Sequence, residues 1–371
     1  MKKITECPEL TGKYVLVRSS CNVPLKDGVV QNAYRLNRAV QTLRFLKDAG
    51  AKVIVVAHIG RDEHDTLRPV LSAFKSLIPM EWGGVIGSPE FASARASMHD
   101  GDIMLAENLR QFAGESNNDA SFAQLLAEQA DIYVNDAFDN IHRDHASMVT
   151  LPTLLPAYAG ITLAEEVTEL QKAMEPTSPS LLILGGAKFE TKMPLVEKYL
   201  DLYDNVFVTG ALINDILKAE GREVGQSLVS DISLAGAPFL SSPKLIAAVD
   251  VVVQNERGTR TVSIEGVQPD EKITDMGPLT IAKLAPYIKD AATILWNGPL
   301  GLYESGVAGG THAVAKLIAE ADGYSIIGGG DTVAAIEDLG LNDKFGFVSI
   351  GGGAMLTLLE HGSTPSLDAL N

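Results

Sequence analysis

Short apolar runs alternate with segments of helical period along most of this chain. Tyr14-Val-Leu-Val17 is brief and rich in β-branched residues, as a strand requires. Behind it Leu36, Ala39, Val40, Leu43 and Leu46 recur at the spacing of one helix face, and Gly50 ends the run. Val53-Ile-Val-Val56 has no polar face, the pattern of a central strand covered on both sides. Ile103-Met-Leu105, a helical stretch carrying Phe122, Leu125 and Leu126, and Ile132-Tyr-Val134 keep the rhythm. A second series opens at Leu181-Leu-Ile-Leu184 and continues through Val206-Phe-Val208, Val251-Val-Val253, Ile294-Leu-Trp296 and Ser325-Ile-Ile327. Strands alternating with helices in this way predict βαβ units, hence parallel sheets covered by helices.

Between the two series, residues 149–180 hold Pro152, Pro156, Pro176 and Pro179 around a helical stripe of Leu163, Val167, Leu170 and Met174. The pattern predicts a connecting helix between two α/β domains, and a length of 371 residues suits two domains. The surface is acidic: 47 Asp and Glu against 30 Lys and Arg give a formal charge of −17. Such a surface repels nucleic-acid phosphates and anionic lipid, so any anionic substrate needs its cations concentrated in one place. Cys7 and Cys21 are too few for a disulfide framework and lack metal-site spacing. No apolar stretch follows Lys2 and Lys3, and no run approaches the ~18 residues of a membrane span. The expectation is a cytoplasmic protein without membrane or nucleic-acid partners.

Glycine placement adds chemistry. Gly185-Gly186 follows one apolar run, Gly328-Gly-Gly330 with Asp331 and Thr332 follows another, and Gly351-Gly-Gly353 follows a third. At the carboxyl edge of a parallel sheet, glycine lets backbone approach a ligand, and the next helix aims free N–H groups at an anion. Repetition suggests a nucleotide polyphosphate, although neither GxxxxGK[ST] nor GxGxxG is present. The first half carries cations instead: Arg35 at a helix start, His58 and Arg61 after a strand, Arg110 after another, and Arg143 beyond Asn135-Asp136. Guanidinium groups suit phosphate and carboxylate oxygens. Phosphoryl transfer is the chemistry that uses both halves, because it needs positioning and charge neutralisation.

In order along the chain stand Asn22-Val-Pro-Leu-Lys-Asp-Gly28, His58-Ile-Gly-Arg61, Glu107-Asn-Leu-Arg110, Tyr133-Val-Asn-Asp-Ala-Phe138 and His142-Arg143. Gly185-Gly-Ala-Lys188, Trp296-Asn-Gly-Pro299, Gly328-Gly-Gly-Asp-Thr332 and Gly351-Gly-Gly-Ala354 follow. With these the sequence resembles the phosphoglycerate kinases along nearly its whole length. The resemblance implies two Rossmann-like domains with parallel sheets joined by a hinge helix. A phosphoglycerate-binding domain would span 1–160 with the tail 355–371 folding back, and the hinge helix and nucleotide-binding domain 161–354. It implies a glycolytic phosphotransferase, a monomer exchanging a phosphoryl group between 1,3-bisphosphoglycerate and MgADP to give 3-phosphoglycerate and MgATP. By motif position, Ser20, Cys21, Asn22, Arg35, His58, Ile59, Gly60, Arg61, Arg110 and Arg143 resemble the substrate site. Lys188, Lys192, Asn297, Glu304, Gly329, Gly330, Asp331 and Thr332 resemble the nucleotide site, with Asp331 linked to Mg2+. Arg35, Lys192, Gly330 and Gly352 resemble the catalytic positions.

Several positions depart from the family pattern. Arg18-Ser-Ser-Cys-Asn22 stands where Arg-Val-Asp-Phe-Asn is usual, so Ser20 replaces an aspartate that contacts the substrate hydroxyl. Ile350 replaces a threonine, Thr209-Gly210-Ala211 a glycine triplet beside the adenine, and the usual tryptophan before Asp275-Met-Gly-Pro278 is missing. These departures motivate an alternative, a catalytically weakened binding paralogue of the same fold. They also suggest that Ser20→Asp lowers KM for 3-phosphoglycerate. Cys21 reads as a buried filler, and His142 with His145 lacks a third metal ligand nearby.

Overall fold

The computed structural model describes residues 1–187 and 192–371. It divides into two units, 1–168 with 361–371 and 169–360. The first contains β1 (Tyr14–Ser19), β2 (Leu25–Lys26), β3 (Val29–Val30), β4 (Lys52–Val56), β5 (Glu81–Gly84), β6 (Ile103–Ala106), β7 (Ile132–Asp136) and β8 (Ala157–Ala159). Six of these form one parallel sheet in the order β5-β6-β4-β1-β7-β8, and β2 with β3 makes a separate hairpin. The β4 and β1 runs are buried almost throughout, as strands covered on both faces must be. Leu36, Leu43 and Leu46 of the helix Tyr34–Asp48 pack with Val15, Val17, Val53 and Val55 in the core.

The second unit contains β9 (Ser180–Leu184), β10 (Asn205–Val208), β11 (Asp250–Asn255), β12 (Gly258–Ser263), β13 (Lys272–Met276), β14 (Thr293–Asn297), β15 (Tyr324–Gly328) and β16 (Phe347–Val348). A parallel sheet runs β10-β9-β14-β15-β16. Val251-Val-Val253 corrects the sequence reading: it does not join that sheet but lies in an antiparallel one ordered β12-β11-β13. The physical reason is the short Glu256-Arg257 connection into Gly258, which returns the chain directly alongside itself, whereas a parallel partner needs a long crossover.

Register decides where ligands can meet each sheet. Arg18 of β1 lies level with Val56 of β4 and Asn135 of β7, so the segments that follow all three strands leave from one edge. In the other unit Leu184, Asn297 and Gly328 are level at the ends of β9, β14 and β15. Both edges are carboxyl edges beside a reversal of strand order, where α/β sheets take ligands.

The division at 168/169 falls inside the helix Ile161–Met174, eight residues beyond the expected 160/161. Its first turn is tied to the first unit through Ile161 N–H to Thr42 Oγ1 (2.9 Å) and Leu163 N–H to Asp136 Oδ1 (3.1 Å). Its last turn belongs to the second, where the Tyr203 hydroxyl donates to the Ala173 carbonyl (2.8 Å). At the other end Lys198 Nζ donates to the carbonyls of Leu359 and Glu360 (2.8 Å each), keeping the chain with the second unit up to 360 rather than 354. Residues 361–371 return to the first unit, where Asn135 Nδ2 donates to Ser366 Oγ (2.8 Å). Among the described residues no helix is long and apolar enough to cross a membrane.

Candidate active site

In the first unit the expected substrate residues converge at the exits of β1, β4, β6 and β7. Asn22 joins several of them. Its carbonyl accepts from Arg35 Nη1 (2.7 Å), and its Oδ1 accepts from Gly60 N–H (3.1 Å). Gly60 has φ +66°, and a Cβ there would collide with the Asp65 carboxylate, which caps the loop by accepting from Arg61 and Asp62 N–H (3.0 Å each). Asn108 clamps the same loop, donating to the Ile59 carbonyl (3.0 Å) and the Asp65 carbonyl (2.8 Å). Arg61 is solvent-exposed, whereas Ser20, Cys21, His58 and Ile59 are buried.

A charged network lies beneath these residues, and sequence reasoning missed it. Arg18 is fully buried at the end of β1. Its Nε donates to Ser147 Oγ (3.0 Å) and Nη1 to the Ser19 carbonyl (2.9 Å), while Nη2 meets His58 Nδ1 at 2.8 Å. A guanidinium has no acceptor, so His58 must accept at Nδ1 and carry its proton on Nε2. Burial, then Arg18, Arg110 and Arg143, push the His58 pKa down to about 2, so it is a neutral donor at any working pH. Glu115, also fully buried, accepts from Ser147 N–H (3.0 Å) and Oγ (2.6 Å) and lies 4.0 Å from Arg18. His145 stands 3.7 Å from Glu115, but burial and the neighbouring arginines lower its pKa to about 4, and it too is neutral. The one available signal was an arginine directly after the strand pattern Tyr14-Val-Leu-Val17.

Arg110 shows how crowded the cations are. Burial first, then Arg143 and Arg18, lower its pKa. The buried Nε donors of Arg110 and Arg143 have no hydrogen-bond partner among the described residues, and neither has the buried Nδ1 of His142. Buried donors of this kind suit the oxygens of an anionic ligand. Cys21 does not contribute a nucleophile, because burial raises its thiol pKa to about 12.

In the second unit the glycine turns stand side by side. Gly185 N–H donates to the Asn297 carbonyl (2.8 Å), and a Cβ on Gly185 would lie 2.3 Å from the Pro299 carbonyl oxygen, so the ends of β9 and β14 touch backbone to backbone. Lys192 precedes the helix Met193–Leu202, and its Nζ donates to the Gly185 carbonyl. Burial depresses the Lys192 pKa to about 8, with Asp331 acting in the opposite direction. Gly329, at φ +97°, caps the helix Gly330–Asp338 and leaves Asp331 in its first turn. Burial, then the charge of Glu304, raises the Asp331 pKa, and Lys192 opposes them. Lys192, Asp331 and Glu304 are therefore electrostatic neighbours.

Thr332 is fully buried, and its Oγ1 accepts from Gly298 N–H (3.0 Å), which commits the side chain to holding the β14 turn. Trp296 is core, with its indole N–H bonded to the Gly298 carbonyl (2.8 Å). Asn297 is buried at the end of β14, its Nδ2 3.6 Å from Met355 Sδ. Gly352, at φ +49°, precedes the helix Gly353–His361, and a Cβ on Gly330 would meet nothing within 4 Å. Lys188 lies outside the described residues. A cleft lined by Gly210, Ala211, Asn214, Leu300 and Leu302 adjoins β13, beside the expected adenine position.

Among the described residues no three His, Cys, Asp or Glu side chains form a metal-holding group. A Mg2+ ion carried by a nucleotide needs only one or two protein carboxylates, with phosphate oxygens and water completing its shell. Asp331, desolvated and repelled by Glu304, fits that donor role, since a cation would relieve both effects.

Crowded guanidinium donors at one sheet edge, and glycine turns opening helices beside a lysine and a carboxylate at another, define an α/β phosphotransferase. The family model for phosphoglycerate kinase matches residues 4–362. The phosphoglycerate kinase of Methylorubrum extorquens (strain PA1) is 39% identical over 100% of this chain and 98% of its own length. That of Rubrobacter xylanophilus is 40% identical over 98% and 96%. Among solved structures, phosphoglycerate kinase from Coxiella burnetii has a TM-score of 0.84 at 34% identity, and that from Pyrococcus horikoshii OT3 has 0.87 at 26%. Each covers 100% of this chain and 98% of its own. This chain belongs to the phosphoglycerate kinase family.

Proposed function

We propose that the chain catalyses reversible phosphoryl transfer between 1,3-bisphosphoglycerate and MgADP, giving 3-phosphoglycerate and MgATP. A β-phosphate oxygen of ADP attacks the acyl phosphorus, and the bond from phosphorus to the acyl oxygen breaks. The observation that carries this reading is the set of arginines at the β4, β6 and β7 exits, where the buried Nε donors of Arg110 and Arg143 have no partner among the described residues, within a family match over residues 4–362. In this account Arg61, Arg110, Arg143 and the Nε2–H of His58 bind the phosphoglycerate, and Asn22 holds Arg35 and Gly60 in place. Arg35 and Lys192 offset the charge that develops on the phosphoryl oxygens, and the amides around Gly330 and Gly352 donate to phosphate. Asp331 would hold Mg2+, which when bound neutralises the nucleotide phosphates. Glu304 is proposed for the ribose, with Asn297, Gly329, Lys188 and the backbone of Thr332 near the nucleotide phosphates. A cytoplasmic monomer acting on small molecules alone completes the reading.

Two expected results follow from this assignment. Arg143→Ala weakens 3-phosphoglycerate binding tenfold to a hundredfold, the loss of one charge-assisted contact, and leaves MgADP affinity within about twofold. Calorimetry with each ligand checks it, and parallel loss of both affinities would refute the assignment of Arg143. The second concerns pH. An ammonium group is charged below its pKa and neutral above it, so with Lys192 near 8 the needed charge disappears as pH rises through that value. The kcat/KM for the nucleotide should therefore fall above about pH 8. Lys192→Arg, whose guanidinium stays charged, should lose that alkaline limb. An unaltered limb in that variant would assign it to another group.

A further inference from the structure

Asp139 was not among the residues expected at the substrate site, yet it lies within it. It sits in the single turn Phe138–Asn140 that follows β7, with its side chain 6% exposed. Its Oδ1 accepts from Ser20 Oγ (2.5 Å) and Asn140 Nδ2 (2.7 Å), and its Oδ2 lies 3.3 Å from Arg35 Nη1. Cys21 and His142 both feel its charge. A carboxylate has about four acceptor positions, and these three donors leave one open on Oδ2, the oxygen beside Arg35. The Ser20 hydroxyl proton is already committed to Asp139, so the acceptor at this point of the site is the carboxylate.

A negative charge in a pocket for anions repels the ligand, and a neutral amide could hold Ser20 and Arg35 at lower electrostatic cost. What a carboxylate adds is a charge-assisted hydrogen bond to a ligand hydroxyl, about twice as strong as a neutral one. The arginines around it hold the repulsion down. We propose that Asp139 is a specificity-determining residue: its Oδ2 accepts the C2 hydroxyl of phosphoglycerate, so the site selects a phosphorylated 2-hydroxy acid over its deoxy counterpart. The proposal builds on the phosphoglycerate reading above. It also reverses the expectation for Ser20→Asp, because the new carboxylate would face Asp139 Oδ1 across what is now a hydrogen bond, and like charges at that distance repel.

The test compares 3-phosphoglycerate with 3-phosphonooxypropanoate, the same molecule without the C2 hydroxyl, by calorimetry on the full chain. The unmodified protein should bind the hydroxylated ligand at least tenfold more tightly. In Asp139→Ala that ratio should collapse to within about twofold, and in Asp139→Asn, whose amide oxygen is only a neutral acceptor, it should fall to about threefold, with MgADP affinity unchanged in both. Ser20→Asp alone should weaken 3-phosphoglycerate binding, and Ser20→Asp with Asp139→Asn should recover the hydroxyl preference. Asp139 variants that keep the ratio, or lose both ligands in parallel, would overturn the proposal, as would tighter binding by Ser20→Asp alone. Lack of 3-phosphoglycerate turnover by the unmodified chain would instead count against the kinase reading, so the two failures are distinguishable.

Discussion

Arg35→Ala is expected to lower kcat about a thousandfold while KM for 3-phosphoglycerate rises by less than about tenfold. In phosphoryl transfer charge spreads over the equatorial oxygens only in the transition state, and an arginine supplied there is worth 10³ or more. An interaction of that kind appears in kcat, not in ground-state binding. The structure shows what holds the side chain ready. Nη1 donates to the Asn22 carbonyl at 2.7 Å and pairs with Asp139 at 3.3 Å, which fixes the plane of a guanidinium fork that suits phosphoryl oxygens and that a point-charge ammonium does not present. Arg35→Lys should therefore recover little of the lost rate. Steady-state kinetics on the three proteins decide the matter, and kcat within tenfold of the unmodified chain for Arg35→Ala would remove the residue from the catalytic role.

Lys192→Ala should cost about a hundredfold to a thousandfold in kcat, the range for losing one preorganised charge donor. The lysine is desolvated, which strengthens its field on a phosphoryl group but also drops its pKa to about 8. Its position depends on a glycine neighbour: Gly186 has φ +95°, and a Cβ there would approach Nζ to 2.7 Å. Gly186→Ala should accordingly reproduce part of the Lys192→Ala defect without touching a charge. If Lys192→Ala raised KM for the nucleotide and left kcat intact, the residue would be a binding contact only.

The parallel architecture was legible because each central strand writes itself as an unbroken apolar run, and because strand-exit glycines and arginines announce one edge. Elements without such a signature were not legible. Glu81–Gly84 contains two glycines and no β-branched residue, yet pairs with β6 as an edge strand. Val251-Val-Val253 looks identical to a parallel strand, and only the tight return at Gly258 makes it antiparallel. The site divides the same way. Arg110 and Asp331 are readable from their local strand–turn context. Arg18, Glu115 and Ser147 form one network only through the fold, and Ser20 meets Asp139 across 119 positions of chain. A departure that reads locally as a lost carboxylate is answered by another carboxylate from a different strand exit, and single-chain spacing carries no trace of that pairing.

Turnover by the full chain tests the central claim most directly. With 3-phosphoglycerate and MgATP supplied together, the account predicts saturable formation of ADP and acyl phosphate at more than about 1 s⁻¹, an ordinary enzymatic rate, and near silence in Arg35→Ala. Calorimetric binding of both ligands with no ADP formed would contradict it, leaving a binding protein on a kinase fold.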